Sequence, residues 1–508
     1  MKSRSITSIA ISFIMIGSYM LSFAKESLMA NFFGITMEMD AYTIAIQIPV
    51  VLFAFVAVAI RSFVTPIYSD CLYNEGKNYA NSFISNLLGV LCIITVLFVL
   101  LGEITADYII YAFAPGFSAE GHAIAVSLLR IILPNIIFIT LNDIFSAILN
   151  VHRKALYTSL AVYVLNICLI LCVVFLHSKF GILSAIIGQI VGSFIQLMYL
   201  LFLSKKIFSY IPVLRFKDPK IKESARMSIP LIWSISAAEV NNMVNKIVAS
   251  TLLTGSIAAL NYSSKLNSVF IALIANIVSV ILYPYYAELA AKSDFKRLNE
   301  VCNFTFASFS MMVLPLMVLL LIFKQEIVEI AFARGKFDAS AVAVTQDIFT
   351  YYTLGLLFIA FRGPITQIFY ALKDTKTPAI NATIGVVLNI ILNVTLPHFM
   401  GVNGLALATS ISAAFIVVNL FIKLLRKRED FEMNYFYTSF KKILIAAAVM
   451  MIAMLLLEKW VYMSNVYIKL IIGFLIGFVI YISALWIFKI PAFFKLMANF
   501  QLFKKKSL

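Results

Sequence analysis

Stretches of about 20 apolar residues follow one another along almost the whole chain, separated by short polar or basic segments. Each stretch is long enough to cross roughly 30 Å of hydrocarbon as a helix. They are too long and too uniformly apolar for barrel strands, and in lipid only helices or closed barrels satisfy their own backbone. The pattern predicts an all-α polytopic membrane protein. Its fourteen spans fall at about 7–28, 41–68, 83–104, 123–149, 156–177, 182–204, 226–253, 263–287, 301–323, 342–371, 378–397, 402–424, 440–458 and 466–488. The first follows Lys2 and Arg4 as a signal peptide would. It shows no convincing small-residue cleavage site and runs on through Lys25 and Glu26, so it reads as a retained span.

One pattern occurs twice. Tyr111-Ala112-Phe113-Ala114-Pro115-Gly116-Phe117 returns as Ile330-Ala331-Phe332-Ala333-Arg334-Gly335-Lys336-Phe337. Pro66-Ile67-Tyr68 returns as Pro284-Tyr285-Tyr286, and Leu165-Asn166-Ile167 with Gly181 returns as Leu388-Asn389-Ile390 with Gly404. The offsets all lie between 218 and 223 positions. The repeat divides the chain into an N-lobe at 1–204 (spans 1–6), a basic linker at 205–225, a C-lobe at 226–425 (spans 7–12), and residues 426–508, with spans 13–14 and a basic tail. Each copy has an even number of spans, so both enter the membrane from the same side as a parallel repeat. Short interfacial helices are expected near Ala112–Phe117 and Ala331–Phe337, ended by Gly116 and Gly335. A membrane bundle duplicated in this way is the usual build of a transporter, with the substrate path between the copies.

The net charge of +16 changes this picture less than it first suggests. With the amino terminus placed in the cytoplasm, cytoplasmic segments hold 28 of the 40 Lys and Arg, outside segments hold 6, and the remaining six fall within spans. That asymmetry is a topology signal, which places both termini in the cytoplasm and argues against nucleic acid as a partner. The five cysteines form no metal pattern, and Cys168 and Cys172 read as small packing residues. The four histidines are scattered near span ends or in loops, without a nucleophile–base pair, so no enzyme activity is expected. There is no phosphate-binding loop and no stretch that would house an ATPase. Any energy must come from an ion gradient, the membrane potential or the substrate gradient, and no cofactor is expected.

Ionisable groups inside a span cost about 2.5–3.5 kcal/mol, so they normally face a cavity or each other. Lys25 and Glu26 lie near the end of span one, Arg61 in span two, Arg130 in span four, Glu239 and Lys246 in span seven, Lys265 at the opening of span eight, and Arg362 in span ten. Glu239 and Lys246 are two turns apart and share a face. Lys25 and Lys265 are also placed where they would snorkel to the outer headgroups, and Arg61 where it would reach phosphate at the cytoplasmic end. Taken together, Lys25, Lys246 and Lys265, with Arg61, make a candidate cationic path for an anionic headgroup such as pyrophosphate. In span eleven Asn389 and Asn393 share a face, and Thr409 follows in span twelve. With Glu239 they make a candidate oxygen site for a small cation, set against the alternative of interhelical hydrogen bonding.

Several motifs carry a resemblance: Phe33-Gly34 with Asp40-Ala41-Tyr42, Ile48-Pro49, Ala114-Pro115-Gly116-Phe117, Ser146-Ala147-Ile148-Leu149-Asn150, Arg334-Gly335-Lys336-Phe337, and Phe369-Tyr370-Ala371 followed by Asp374-Thr375-Lys376-Thr377-Pro378. Along its whole length the chain resembles the MviN/MurJ lipid II flippases of the multidrug/oligosaccharidyl-lipid/polysaccharide exporter superfamily. The resemblance implies a monomeric plasma-membrane exporter that turns lipid II, the undecaprenyl-pyrophosphate-linked peptidoglycan precursor, to the outer leaflet by alternating access of two six-helix lobes. It implies a prenyl-tail groove at the last two spans, gating by Asp40 and Glu26, and coupling to Na+ or to the membrane potential. The cavity arginines of the family fall on Tyr19, Lys25, Phe53, Ala54 and Lys265, of which only Lys25 and Lys265 keep a charge. Lys246, Arg61 or Arg130 would then compensate. The same departure motivates the alternative of another polyprenyl-linked oligosaccharide, beside that of a non-transporting membrane scaffold. Asn389, Asn393 and Thr409 fall by spacing on a family sodium site.

Overall fold

A computed structural model describes residues 2–60, 64–215, 220, 239–277, 282–427, 431–460 and 465–497. Side chains at 2–13, 15, 16, 54–59, 273–277 and 458–460 are outside the description. All regular structure among the described residues is helical. In chain order the helices are α1 (Lys2–Phe33), α2 (Met37–Ala59), α3 (Thr65–Asp70), α4 (Lys77–Phe113), α5 (Ala119–Ile132), α6 (Asn135–Val151), α7 (Ala155–Phe180), α8 (Leu183–Ser204), α9 (239–250), α10 (Ser256–Ile277), α11 (Tyr283–Ala291), α12 (Phe295–Ile322), α13 (Lys324–Phe332), α14 (Ala339–Leu354), α15 (Leu356–Ala371), α16 (Lys376–Thr395), α17 (Pro397–Met400), α18 (Val402–Lys427), α19 (Asn434–Trp460), α20 (Val466–Ile487) and α21 (491–497).

Each of the fourteen expected spans is largely helical where it is described. Nine of the helical stretches described are long and apolar enough to cross a membrane by themselves, and α5 with α6, bent by 42° at Leu133-Pro134, would make a tenth. Of the other four expected spans, 41–68, 226–253 and 263–287 include positions outside the described residues, and 7–28 includes side chains outside the description.

The chain packs as two compact units. The first comprises Met1–Asn261 with Gly335–Phe337, and the second Tyr262–Arg334 with Asp338–Leu508. This packing division is drawn differently from the sequence repeat, because α9 and the first turns of α10 cluster with the first unit.

In the first unit α8 packs most closely on α7. Gly188 and Gly192 let the two backbones approach: a Cβ at Gly188 would sit 2.9 Å from Cys172 Cβ and from Leu169 Cα, and one at Gly192 would sit 3.0 Å from Leu165 O. Small residues four apart are the usual means of close helix contact in lipid. Cys172 and Cys168 line this contact as packing residues. The linker also docks on this unit. The Asn86 side chain donates to Arg215 O at 3.0 Å and accepts from Arg215 N at 2.6 Å, while Ile211 N donates to Ser85 Oγ.

In the second unit α12 packs on α19, around Phe306, Phe361, Phe421 and Phe436, whose ring centroids lie 4.6–6.2 Å apart. Buried Asn303 joins the same helices, donating to Glu432 O and accepting from Phe436 N.

The two copies of the repeat differ where short interfacial helices were expected. In the second copy α13 is a separate short helix. In the first copy no break occurs: α4 runs unbroken from Lys77 to Phe113, about 55 Å at 1.5 Å per residue. At this break packs α20, which has no counterpart in the first copy. Phe323, at the break between α12 and α13, packs its ring into the space left by Gly473 of α20, where a Cβ would meet Phe323 Cζ at 2.2 Å.

Between α15 and α16 the Asp374 carboxylate accepts from Thr377 N at 2.9 Å, Thr377 Oγ1 at 2.8 Å and the Lys427 ammonium of α18. Burial pushes the Asp374 carboxyl up, but the bonds from Lys427 and Thr377 outweigh it and bring it down to about 2. A carboxylate held below its unfolded value of about 3.9 stabilises the fold above that pH, and the contribution disappears as pH falls through about 2. Asp374→Asn is expected to melt at a lower temperature than the parent at pH 7. The difference should close between about pH 4 and pH 2 in detergent-solubilised thermal unfolding.

Candidate functional site

In the first unit, polar groups on α1, α2, α9 and the start of α10 come together. Three clusters follow one another.

The first is at the end of α1. Lys25 Nζ lies 3.1 Å from Glu26 Oε1, with side chains only 19% and 7% exposed, and Asn261 of α10 donates to Glu26 Oε2 at 3.5 Å. An ammonium and a carboxylate so shielded from water are best kept there as a pair, since separating them would leave an uncompensated buried charge.

The second is Asp40, in the first turn of α2 and 2% exposed. Its Oδ2 accepts from Gly255 N at 2.6 Å and its Oδ1 from Ala258 N at 2.7 Å. Those N–H groups are at the amino end of α10, where Gly255 has no side chain to offer as a cap. A carboxylate from a different helix fills that role and meets the positive end of the helix dipole.

The third lies seven residues further along α2, about 10 Å at the helical rise. Gln47 Nε2 donates to Glu239 Oε2 at 3.1 Å, and Lys246 Nζ donates to Gln47 Oε1 at 2.9 Å. The shared face of Glu239 and Lys246, expected from their spacing, is thus turned to α2.

Backbone approaches frame these clusters. Gly335 and Gly34 stand at φ of +57° and +60°, Lys336 N donates to Asn31 O at 2.9 Å, and Gly116 N reaches Ser250 Oγ at 3.5 Å.

The remaining sequence candidates are placed as follows. Lys265 is exposed on α10, one turn beyond Asn261 on the same helix face. Arg130 and Arg362 are exposed on α5 and α15. Arg61 lies outside the described residues, as does the side chain of Ala54. Tyr19 is half-exposed on α1. Phe53 is buried, edge-on to Phe98 of α4 with centroids 5.4 Å apart, so that position belongs to the packing between α2 and α4.

Asn389 and Asn393 are both buried in the second unit, where Asn393 Nδ2 donates to Asn389 Oδ1 at 2.8 Å. Thr409 Oγ1 donates back to Leu405 O at 3.1 Å. Glu239 belongs to the first unit and is engaged by Gln47. Among the described residues no group of three His, Cys, Asp or Glu is arranged to hold a metal ion.

Gln47 and Asn261 escaped the sequence reading, which searched spans for charge. An amide in an apolar stretch was the available signal, because such a group must find a partner in lipid.

A family model described as "Lipid II flippase MurJ" matches residues 29–475, which takes in the second and third clusters and begins just after Lys25 and Glu26 of the first. The chain belongs to the MurJ family. A probable lipid II flippase MurJ of Buchnera aphidicola subsp. Schizaphis graminum is 30% identical over 441 residues, 85% of each chain. The lipid II flippase MurJ of Burkholderia cenocepacia is 26% identical over 439 residues, 84% of this chain and 85% of its own. Among solved structures, a lipid II flippase MurJ in an inward closed conformation superposes with a TM-score of 0.80 at 28% identity, covering 94% of this chain and 98% of that one. An inward-facing multidrug resistance MATE family transporter of the MOP superfamily superposes at 0.68 with 13% identity, over 80% and 94% of the two chains, and so shares the fold. The chain is thus a multi-pass membrane protein of a transporter family, as its apolar spans and duplicated architecture led one to expect.

Proposed function

We propose that this chain translocates lipid II from the inner to the outer leaflet of the bacterial plasma membrane by alternating access. It works as a single copy with both termini in the cytoplasm and without a chemical step. The observation that carries the reading is the family match across 29–475, the stretch that holds Lys246 and Lys265 and begins just after Lys25. A pyrophosphate at membrane depth needs cationic partners, and ammonium groups form charge-assisted hydrogen bonds to it. Lys25, Lys246 and Lys265 serve as those partners, joined by Arg61, with Glu26 and Asp40 as gating groups. The last two spans, α19 and α20, receive the prenyl tail.

The drive is the membrane potential. Carrying a negative headgroup from the inside-negative face to the outside releases about 2.3 kcal/mol per charge per 100 mV.

A second reading, a flippase for another polyprenyl-linked oligosaccharide, is favoured by one observation: Phe53, on a position where the resemblance places a headgroup arginine, is spent on packing against Phe98.

In cells depleted of their native flippase, this chain is expected to restore outward movement of lipid II. Lys25→Ala and Lys265→Ala are each expected to abolish it, more than a hundredfold below the parent and with normal protein levels. Rescue by a capsule-type or other polyprenyl-linked intermediate in place of lipid II would instead establish the second reading.

A further inference from the structure

The third polar cluster holds more than a ligand for a headgroup. Gln47 lies between two charged groups of α9, giving its amide N–H to Glu239 and its amide oxygen to Lys246. An ionised carboxylate only accepts and an ammonium only donates, so only one of the two orientations of the amide serves both partners. Glu239 therefore fixes which end of Gln47 meets Lys246.

We propose that Gln47 is a positioning residue for the lipid headgroup, carrying the Lys246 ammonium on its amide oxygen in an orientation set by Glu239 and yielding it to a phosphate oxygen when the lipid enters. This rests on the reading of Lys246 as a headgroup ligand. The exchange runs in the right direction because the amide oxygen is neutral and the phosphate is anionic, so the ammonium gains an opposite charge as well as an acceptor. A lysine stem has rotamer freedom to lose on binding, and a side chain already held loses less of it. The same geometry gives Glu239 a task within the first unit, distinct from the cation site for which its residue type first suggested it. It also accounts for how α2 contributes to a cationic site while Phe53 of the same helix is committed to packing.

The probe is undecaprenyl pyrophosphate, which carries the phosphates shared by lipid II and other polyprenyl-linked glycans. Undecaprenol, without phosphate, reports the tail alone. Binding to the purified full chain in detergent micelles is expected to weaken about tenfold in Gln47→Leu, and less in Glu239→Gln, where the amide can turn either way. Lys246→Gln should lose more than Gln47→Leu. The exchanged pair Gln47→Lys with Lys246→Gln should recover binding to within a few-fold of the parent, because Nζ and Oε1 lie only 2.9 Å apart and the charge stays in place. Undecaprenol should bind all variants alike.

Parent-like binding of undecaprenyl pyrophosphate by Gln47→Leu, or an exchanged pair no better than Lys246→Gln alone, would overturn the proposal. So would equal losses for undecaprenol, which would mark Gln47 as structural only. Parent-like binding by Lys246→Gln would overturn both the proposal and the ligand reading beneath it. A parent chain that binds undecaprenyl pyrophosphate and shows the variant pattern, yet moves no lipid II, would sink the lipid II reading and leave the role of Gln47 intact.

Discussion

Asp40→Ala is expected to be among the most damaging single substitutions in this chain. The Asp40 carboxylate is buried and accepts from two backbone N–H groups at the start of α10, at 2.6 and 2.7 Å. Removing it strands both donors where water does not reach, and each unsatisfied buried group costs about 1–3 kcal/mol. The residue at the cap position itself is Gly255, which has no side chain to replace it and whose own Cβ would lie 2.3 Å from Ile35 O. The expected loss is about 3 kcal/mol or more, which is a large share of the stability of any domain. Asp40→Asn keeps one acceptor oxygen and should lose roughly half as much. Thermal unfolding of purified protein, read beside lipid translocation, checks both. Transport should fail in Asp40→Ala even at temperatures where the protein is still folded, because the residue ties α2 to α10. An Asp40→Ala protein that melts and transports like the parent would remove the capping account.

Gly335→Ala should have an effect of similar size for a different reason. Gly335 has φ of +57°, and a Cβ there would stand 2.3 Å from Asn31 O, a backbone atom that cannot swing aside. The neighbouring Lys336 N donates to that same carbonyl, and across the contact a Cβ at Gly34 would stand 2.5 Å from Lys336 O. The substitution therefore strains one backbone and pushes two apart. Gly181 provides the comparison: its φ is +53°, but nothing lies within 4 Å of a Cβ there. Gly181→Ala should show only the backbone cost of a sparsely populated conformation, roughly 1–3 kcal/mol. In Gly335→Ala the adjacent Phe337, buried at 2% in the parent, should become accessible. A Phe337→Cys reporter labelled with a membrane-impermeant maleimide would read this, from the face that charge asymmetry places outside. Equal labelling in the two glycine variants would contradict the close backbone contact of Gly335 with Asn31.

Much of the architecture was legible because lipid is a demanding solvent. A span must be apolar for about 20 residues and must be helical, so composition and length alone located helices such as α7, α8, α16 and α18. The heptad spacing of Glu239 and Lys246 likewise announced a shared face. Long-range partners were another matter. Nothing in the first copy of the repeat says that Phe113 ends an unbroken helix, and the packing of Phe323 against Gly473 at the break in the second copy involves a helix outside the repeat. Asp40 could be singled out by its motif, but its role as a cap for α10 required knowing that Gly255 folds beside it. Gln47 was overlooked because it carries no charge, and Phe53 was legible only as a departure until Phe98 was seen against it. Asn389 and Asn393 were placed on one face by their spacing, but spacing alone does not reveal that one amide already serves the other.

The central claim is that lysines at membrane depth, held by amide and carboxylate partners, receive a phosphorylated lipid head. The most direct measurement is the rate at which lipid II becomes accessible at the outer surface of cells depleted of their own flippase, compared between the parent chain, Lys25→Ala and Lys246→Gln at equal protein levels. The account predicts rapid exposure with the parent and none above background with either variant. Exposure at the parent rate in both variants would contradict it.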